Sequence, residues 1–304
     1  MRQIVLLALL LSTACCKGMG LELSKSDSLS NRKKLVWASN LGLPIGTYTG
    51  LYFAWYKDAD FVPFHWKNDN NNWLQMDKAG HLFSGHFLAV NSAASFRYAG
   101  YSRKKSAVLG TLFSLGFQTT LEYFDGRSNT WGASYGDLIA NTAGASFGGL
   151  QAYLWGKVRV PVRVTFRTTA LASIRPEMLG SNLPERLLKD YNGQTYWVDI
   201  NPNRMQLGWN KWPKWLGVSF GYSAEGMLGG TDNIWTAANG TIQDWSNIPQ
   251  YRQFLISPSI AFGHLKPKNK ILRALCLLTN YWRIPMPTFE YNTLNRTRFH
   301  LIYW

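Results

Sequence analysis

Between Asp77 and Gly149 the chain alternates three polar signatures with apolar, small-residue segments of helical length. The signatures are Asp77-Lys78-Ala79-Gly80-His81, Glu122-Tyr123-Phe124-Asp125-Gly126 and Ser134-Tyr135-Gly136-Asp137-Leu138-Ile139-Ala140-Asn141. A polar group buried without a partner costs free energy, so greasy helices that carry polar residues on one face must pair them with something. The ends of these helices are marked. The first spans about Asp77–Tyr98 and stops at Gly100. Ser102-Arg103-Lys104-Lys105 leads into the second, about Lys105–Phe124, which Asp125-Gly126 ends. Ser134 offers the N-cap of the next, with Asp137 three residues on as an acidic variant of the capping box, and that helix runs to about Trp155 before Gly156.

On a helical wheel Asp77 and His81 share a face, as do Gln118, Glu122 and Asp125, and as do Asp137 and Asn141. Converging stripes would gather these residues at one end of a bundle. Three readings stay open. In the first the residues are structural: Asp77 and Asp137 cap helices, ion pairs form to Lys78 or Arg127, and His81 is a satisfied core histidine. In the second they line a ligand or metal pocket, with His81 the best metal candidate and a carboxylate orienting it. In the third they are hydrolytic, with His81 as base and Asp77, Glu122 or Asp137 as orienter or acid. No H-E-x-x-H or C-x-x-C spacing, nucleophile elbow, phosphate loop or dinucleotide fingerprint is present. No cofactor is therefore clearly implied, no reaction can be read, and the balance leans away from an enzyme. His86, one step off the stripe, reads as a core or interface histidine.

The N-terminus points to export. Arg2, the apolar run Ile4–Leu11 and Ser12-Thr13-Ala14-Cys15-Cys16 form a short secretory signal, expected over 1–15. Small residues before Cys15 resemble a lipobox. Ser12 stands where a branched apolar residue is usual, so lipidation at Cys15, lipidation at Cys16 and plain cleavage after Ala14 all stay open. Residues 16–34, rich in Ser and Lys, read as a tether. Leu35–Tyr56 then runs 22 residues without a charge, long enough to span a membrane, though Asn40 and Pro44 interrupt it. Gly42, Gly46 and Gly50 would allow close helix packing in a bilayer or in a core. Cys276, in an apolar run, reads as inert core.

From Lys157 the period changes. Val158–Arg167 alternates apolar and polar residues, the mark of a strand. Tyr196–Ile200, Met205–Trp209, Leu216–Tyr222, Phe254–Phe262 and Thr288–Tyr291 read as further strands, and Leu272–Leu278 as helix. The last residues, Phe299-His300-Leu301-Ile302-Tyr303-Trp304, resemble the terminal strand of outer-membrane barrels. The expected fold is thus α+β. About four apolar, small-residue-rich helices occupy 35–156, and a basic β-rich half, either a periplasmic domain or a small barrel, occupies 157–304.

Charged residues are only 16% of the chain, against roughly 25% in soluble domains, while aromatics reach 15% with 14 Trp. That balance suits a bilayer interface. The formal charge of +15 favours anionic partners. Without a nucleic-acid module in the sequence, the expected partners are membrane lipid, an anionic envelope component or an envelope protein, with no nucleic acid.

One ordered set of motifs carries a resemblance. It comprises Asp77-Lys78-x-x-His81, Ser106-Ala107-x-x-Gly110-x-x-Phe113-Ser114, Glu122-x-x-Asp125, Gly132-x-Ser134-x-x-Asp137 and Ala143-Gly144-Ala145-x-x-Gly148. Over roughly Trp73–Gly156 the chain resembles the YfiM-like family, predicted periplasmic lipoproteins of Gram-negative bacteria classed as a domain of unknown function. The progression from Glu122 to Asp137 and Asn141 is more distantly similar to VanZ-like membrane proteins. Trp212-Pro213-Lys214-Trp215-Leu216 through Gly226-Met227 is similar to longer Bacteroidetes-type members. The resemblance implies a cell-envelope location, on the periplasmic side or in the outer membrane, and lipidation. It brings no established activity, so no catalytic residue is carried over. The functional expectation is an exported, membrane-associated component that binds lipid or a partner. The alternative is a metal-binding or hydrolytic protein using Asp77, His81, Glu122 and Asp137.

Overall fold

The computed structural model describes residues 29–52, 56, 59–206, 208, 211–262 and 267–304. The expected signal segment, both candidate lipidation cysteines and residues 16–28 of the tether lie outside the described residues. The chain divides into two compact units. Of the described residues, a helical unit takes 29–70 and 81–158, and a sheet unit takes 71–80 and 159–304. The α+β expectation holds: helices come first and an antiparallel sheet follows.

Among the described residues four long helices appear, α1 (Leu29–Leu51), α2 (Met76–Tyr98), α3 (Arg103–Gly126) and α4 (Tyr135–Trp155). Residues 29–34, expected as tether, already belong to α1. No helix among the described residues is long and apolar enough to cross a membrane. For the expected span at Leu35–Tyr56 the reason is visible. Asn40 and the Ser and Thr residues dilute its apolar character, and the Asn40 amide reaches Val36 O at 2.8 Å and Ser95 Oγ at 3.1 Å. The glycines of α1 do not mediate close packing either, since a Cβ on Gly42, Gly46 or Gly50 would meet nothing within 4 Å.

Close approach happens further on. A Cβ on Gly144 of α4 would sit 2.0 Å from the Leu82 carbonyl oxygen of α2, and one on Gly110 of α3 2.4 Å from the Ala93 amide. Only glycine lets these backbones come so near. The helices therefore bury a polar seam (Ser84, Asn91, Ser92, Ser106, Ser114 and Gln118) and leave Leu112, Ile139, Leu150 and Leu154 about half exposed or more.

In the sheet unit six strands lie in the order β1-β2-β3-β6-β7-β8. They are β1 (Val162–Phe166), β2 (Gln194–Ile200), β3 (Leu216–Glu225), β6 (Tyr251–Ile260), β7 (Met286–Asn292) and β8 (Arg296–Tyr303). A separate hairpin, β4 (Ile234–Thr236) and β5 (Ile242–Asp244), had no strong sequence signal. The strand expected at Met205–Trp209 does not begin there. Pro202–Met205 is a helical turn, capped by Asn201 through the Arg204 amide at 2.9 Å. The expected helix appears as α5 (Lys270–Leu278), N-capped by Asn269.

The order is linear, with no closed barrel among the described residues. The sheet nevertheless curls. Tyr303 of β8 lies edge-on to Trp197 of β2 at 5.9 Å, although three strands separate β8 from β2 in the sheet. Segment 281–283, which leads into β7, bonds to both sides of Val164 in β1 at 2.7 and 3.0 Å. A Cβ on Gly221 would meet the Trp197 ring at 2.6 Å, so glycine there lets the ring fill the concave side.

From β3 to β8 the faces of this sheet are inverted, whereas Val162, Val164 and Tyr196 of β1 and β2 are buried. Cross-strand register puts Phe220, Ile256, Phe289 and Phe299 in one row on the outer face, beside Tyr222, Phe254 and Tyr291. The inner face carries Asp199, Ser219 and Ser257 in one row, and Thr195, Ser223, Gln253 and Asn292 in another, all buried. The period-2 alternation was legible in sequence; which face turns inward was not.

Candidate functional site

His81 sits in the second turn of α2 and is 1% exposed. Its Nδ1 lies 2.8 Å from Asn141 Oδ1 on α4 and 3.7 Å from Glu122 Oε1 on α3; its Nε2 is 3.4 Å from Asp137 Oδ1 on α4. One helix turn separates Asp137 from Asn141, so both side chains bracket the ring. Gln118, one turn before Glu122, donates its amide to the His81 carbonyl at 3.2 Å. Thus His81, Gln118, Glu122, Asp137 and Asn141 converge, all buried.

Helix-end chemistry shapes the group. Ser134 N-caps α4, accepting from the Asp137 amide at 3.3 Å. The reciprocal half of the capping box is supplied from another helix: the Ser134 amide donates to Glu122 Oε2 at 3.3 Å. The Ser134 hydroxyl also donates to Asp69 at 2.5 Å, a partner with no sequence signal. Asp137 is thereby left directed at His81.

Two candidates behave differently. Asp125, at the end of α3, accepts the Tyr56 hydroxyl at 2.5 Å, away from the imidazole contacts. Asp77, one turn before His81 on the same helix, accepts the Tyr191 hydroxyl at 2.8 Å and pairs with Lys78 at 3.3 Å.

The ring's tautomer constrains what the group can do. With Asn141 Oδ1 accepting, Nδ1 carries the hydrogen, and in a neutral ring the Nε2 lone pair faces a carboxylate oxygen. In the other tautomer, or in the protonated ring, Nε2 carries a hydrogen that it can donate to Asp137. The arrangement can therefore hold a proton or bind a divalent metal.

His86 is also buried, its Nε2 3.4 Å from the Gln151 amide and its ring beside Phe147. Burial pushes it down to about 4, so it is a neutral core histidine.

Sequence reasoning missed a second polar group, inside the sheet. Asp199 accepts from Arg163 at 3.0 Å, from Ser259 at 2.6 Å and from Ser219. Arg283 donates to Ser219 at 3.2 Å, to Pro258 O at 2.8 Å and to Ser257, and lies 4.0 Å over the Trp197 ring. Its one sequence signal was Arg163 set between valines.

Compared with known proteins, residues 65–153 match a family model described as a predicted periplasmic lipoprotein (DUF2279). The match takes in α2, α3 and all but the last two residues of α4, and so the whole His81 group, in agreement with the resemblance that the motifs carry. No curated protein and no solved structure matches the chain.

Proposed function

We propose that this is an exported envelope protein, of the outer membrane, whose sheet unit seats its outer face in lipid. The observation that carries this is the inversion of the sheet. Phe220, Phe254, Ile256, Phe289, Tyr291 and Phe299 are 44–56% exposed while the alternate positions bury polar side chains. A water-soluble sheet turns its apolar side to the core; strands with lipid outside do the reverse. Transferring six such half-exposed side chains to hydrocarbon would gain on the order of 5–9 kcal/mol. Two further features agree with it. β3 and β6 are ten residues each, the length of a membrane strand. Amphipathic α5 leaves Ile271, Leu272 and Leu275 exposed. The role is that of a lipid-binding component rather than an enzyme.

Vesicle flotation tests it. The purified protein is expected to float with phospholipid vesicles and to resist carbonate extraction, and Phe254→Lys with Phe289→Lys to abolish flotation while circular dichroism stays unchanged. A protein that stays monomeric without detergent and never floats would overturn the reading.

A second reading is favoured by the buried contact of His81 Nε2 with Asp137 Oδ1 at 3.4 Å: the group holds a divalent cation, with His81 as nitrogen ligand and Asp137 as oxygen ligand. Elemental analysis is expected to find one equivalent of metal in the wild type and none in His81→Ala. Metal-free protein that zinc neither binds nor stabilises would end it.

A further inference from the structure

The concave face of the sheet holds more positive charge than its own residues balance. Arg163, Arg204 and Arg283 lie within electrostatic range of the one carboxylate of Asp199, and both Arg204 and Arg283 also feel Arg163. Both oxygens of Asp199 are already engaged, Oδ1 by Ser219 and Oδ2 by Ser259 and Arg163 Nη1. Several guanidinium donors remain. Among the described residues, Nε and Nη2 of Arg163, Nη1 of Arg283 and Nε of Arg204 are buried with no hydrogen-bond partner. Arg163 is 2% exposed and Arg283 5%.

Charge is costly to bury unless it is paired and hydrogen-bonded, and three guanidiniums on one carboxylate leave a formal excess of two. The unused atoms of Arg163 are also a matched pair. Nε and Nη2 form the side edge of the guanidinium, two parallel N–H groups that fit two oxygens of one oxyanion, a geometry a halide cannot use. The remaining donors of Arg283 and Arg204 supply further charge of the same sign.

We propose that Arg163, Arg204 and Arg283 form a buried oxyanion site that takes a phosphate group, held bidentately on the Arg163 side edge. The phosphate can come from free inorganic phosphate or from a phospholipid headgroup, since both present the same oxygens. The site uses residues of the sheet unit alone and does not depend on the lipid seat proposed above.

The test is thermal unfolding of the full chain, titrated with sodium phosphate against sodium chloride at matched ionic strength, and separately with dihexanoyl phosphatidic acid below its micellar concentration. Saturable stabilisation by phosphate or by the short lipid, absent with chloride, is expected, and which titrant acts identifies the source. Arg163→Lys keeps the charge but loses the fork, and is expected to weaken the apparent affinity about tenfold while vesicle flotation persists. Should Arg163→Lys not fold, Arg283→Lys takes its place, and the wild-type contrast between phosphate and chloride decides by itself. Equal responses to phosphate and chloride with no effect of the lipid, or a variant titration superimposable on the wild type, would overturn the site.

Discussion

In the helical unit, buried polar side chains reach largely for backbone carbonyls. Asn91 donates to Phe87 O, Ser114 to Gly85 O and Gln118 to His81 O. In the sheet unit one cluster of them also pairs side chain to side chain around a charge, as Asp199, Arg163, Ser219, Ser257, Ser259 and Arg283 do. Both interiors are polar, and the means of satisfying them differ. A helical carbonyl keeps a second lone pair after its intrahelical bond, so a neutral side chain on the same or a neighbouring helix can use it. Side chains on the concave face of a sheet project away from the ladder, so those of the Asp199 cluster meet one another laterally as well as reaching carbonyls such as Pro258 O. Lateral pairing among guanidiniums and a carboxylate brings charge inside, where losing one member costs far more than losing a neutral hydrogen bond.

That contrast can be broken by substitution. Asp199→Ala is expected to cost about 3–5 kcal/mol, because it leaves Arg163 and Arg283 buried without their carboxylate. Urea unfolding followed by tryptophan fluorescence measures it, and a cost near that of a surface substitution would show that the network is hydrated rather than paired. The helical unit has its own charge-sensitive point. His86 is depressed to about 4 when folded and near 6.5 when unfolded, so the unfolded chain binds the extra proton between these values. Stability is expected to be full above about pH 6.5 and to fall by about 3 kcal/mol as pH drops through 4. His86→Leu should flatten that part of the stability curve, and an unchanged curve would assign the acid sensitivity elsewhere. The smallest effect is expected at the helix end. Ser134→Ala removes the N-cap of α4 and should cost about 1 kcal/mol, with Ser134→Asp restoring part of it. Differential scanning calorimetry resolves such a difference, and a loss as large as that of Asp199→Ala would erase the distinction between the two units.

Much of this molecule was legible along the chain. Gly and Ser-Asp signals bounded α3 and α4 to within two residues, because caps and left-handed stops such as Gly156 are local backbone chemistry. The polar stripes were legible for the same reason, since spacing of four residues puts Asp137 and Asn141 on one helix face whatever the rest of the chain does. The wheel could not show that Asp125 turns to Tyr56, nor that Glu122 would complete the cap at Ser134 from another helix. Those outcomes depend on how helices approach, and Gly144 and Gly110 set that approach only once partner backbones are present. The misplaced strand at Met205–Trp209 has a similar cause, as Asn201 and Pro202 start a helical turn that outweighs a short apolar run.

What the sequence by itself determined is the set of local choices: where helices start and stop, where the period changes to two, and which side chains share a face. Tertiary structure decided which face turns inward. Alternation in a strand is symmetric, so Val162-Arg163-Val164 fits a sheet with valines inside or with arginine inside. Only the curl that brings Tyr303 onto Trp197, and the pairing of Arg163 with Asp199 some 36 positions away in the chain, puts Arg163 on the concave face, while Val162 and Val164 are buried on the other face. The same holds for His81, whose spacing from Asp77 was local and whose contacts to Asp137 and Asn141 required the fold.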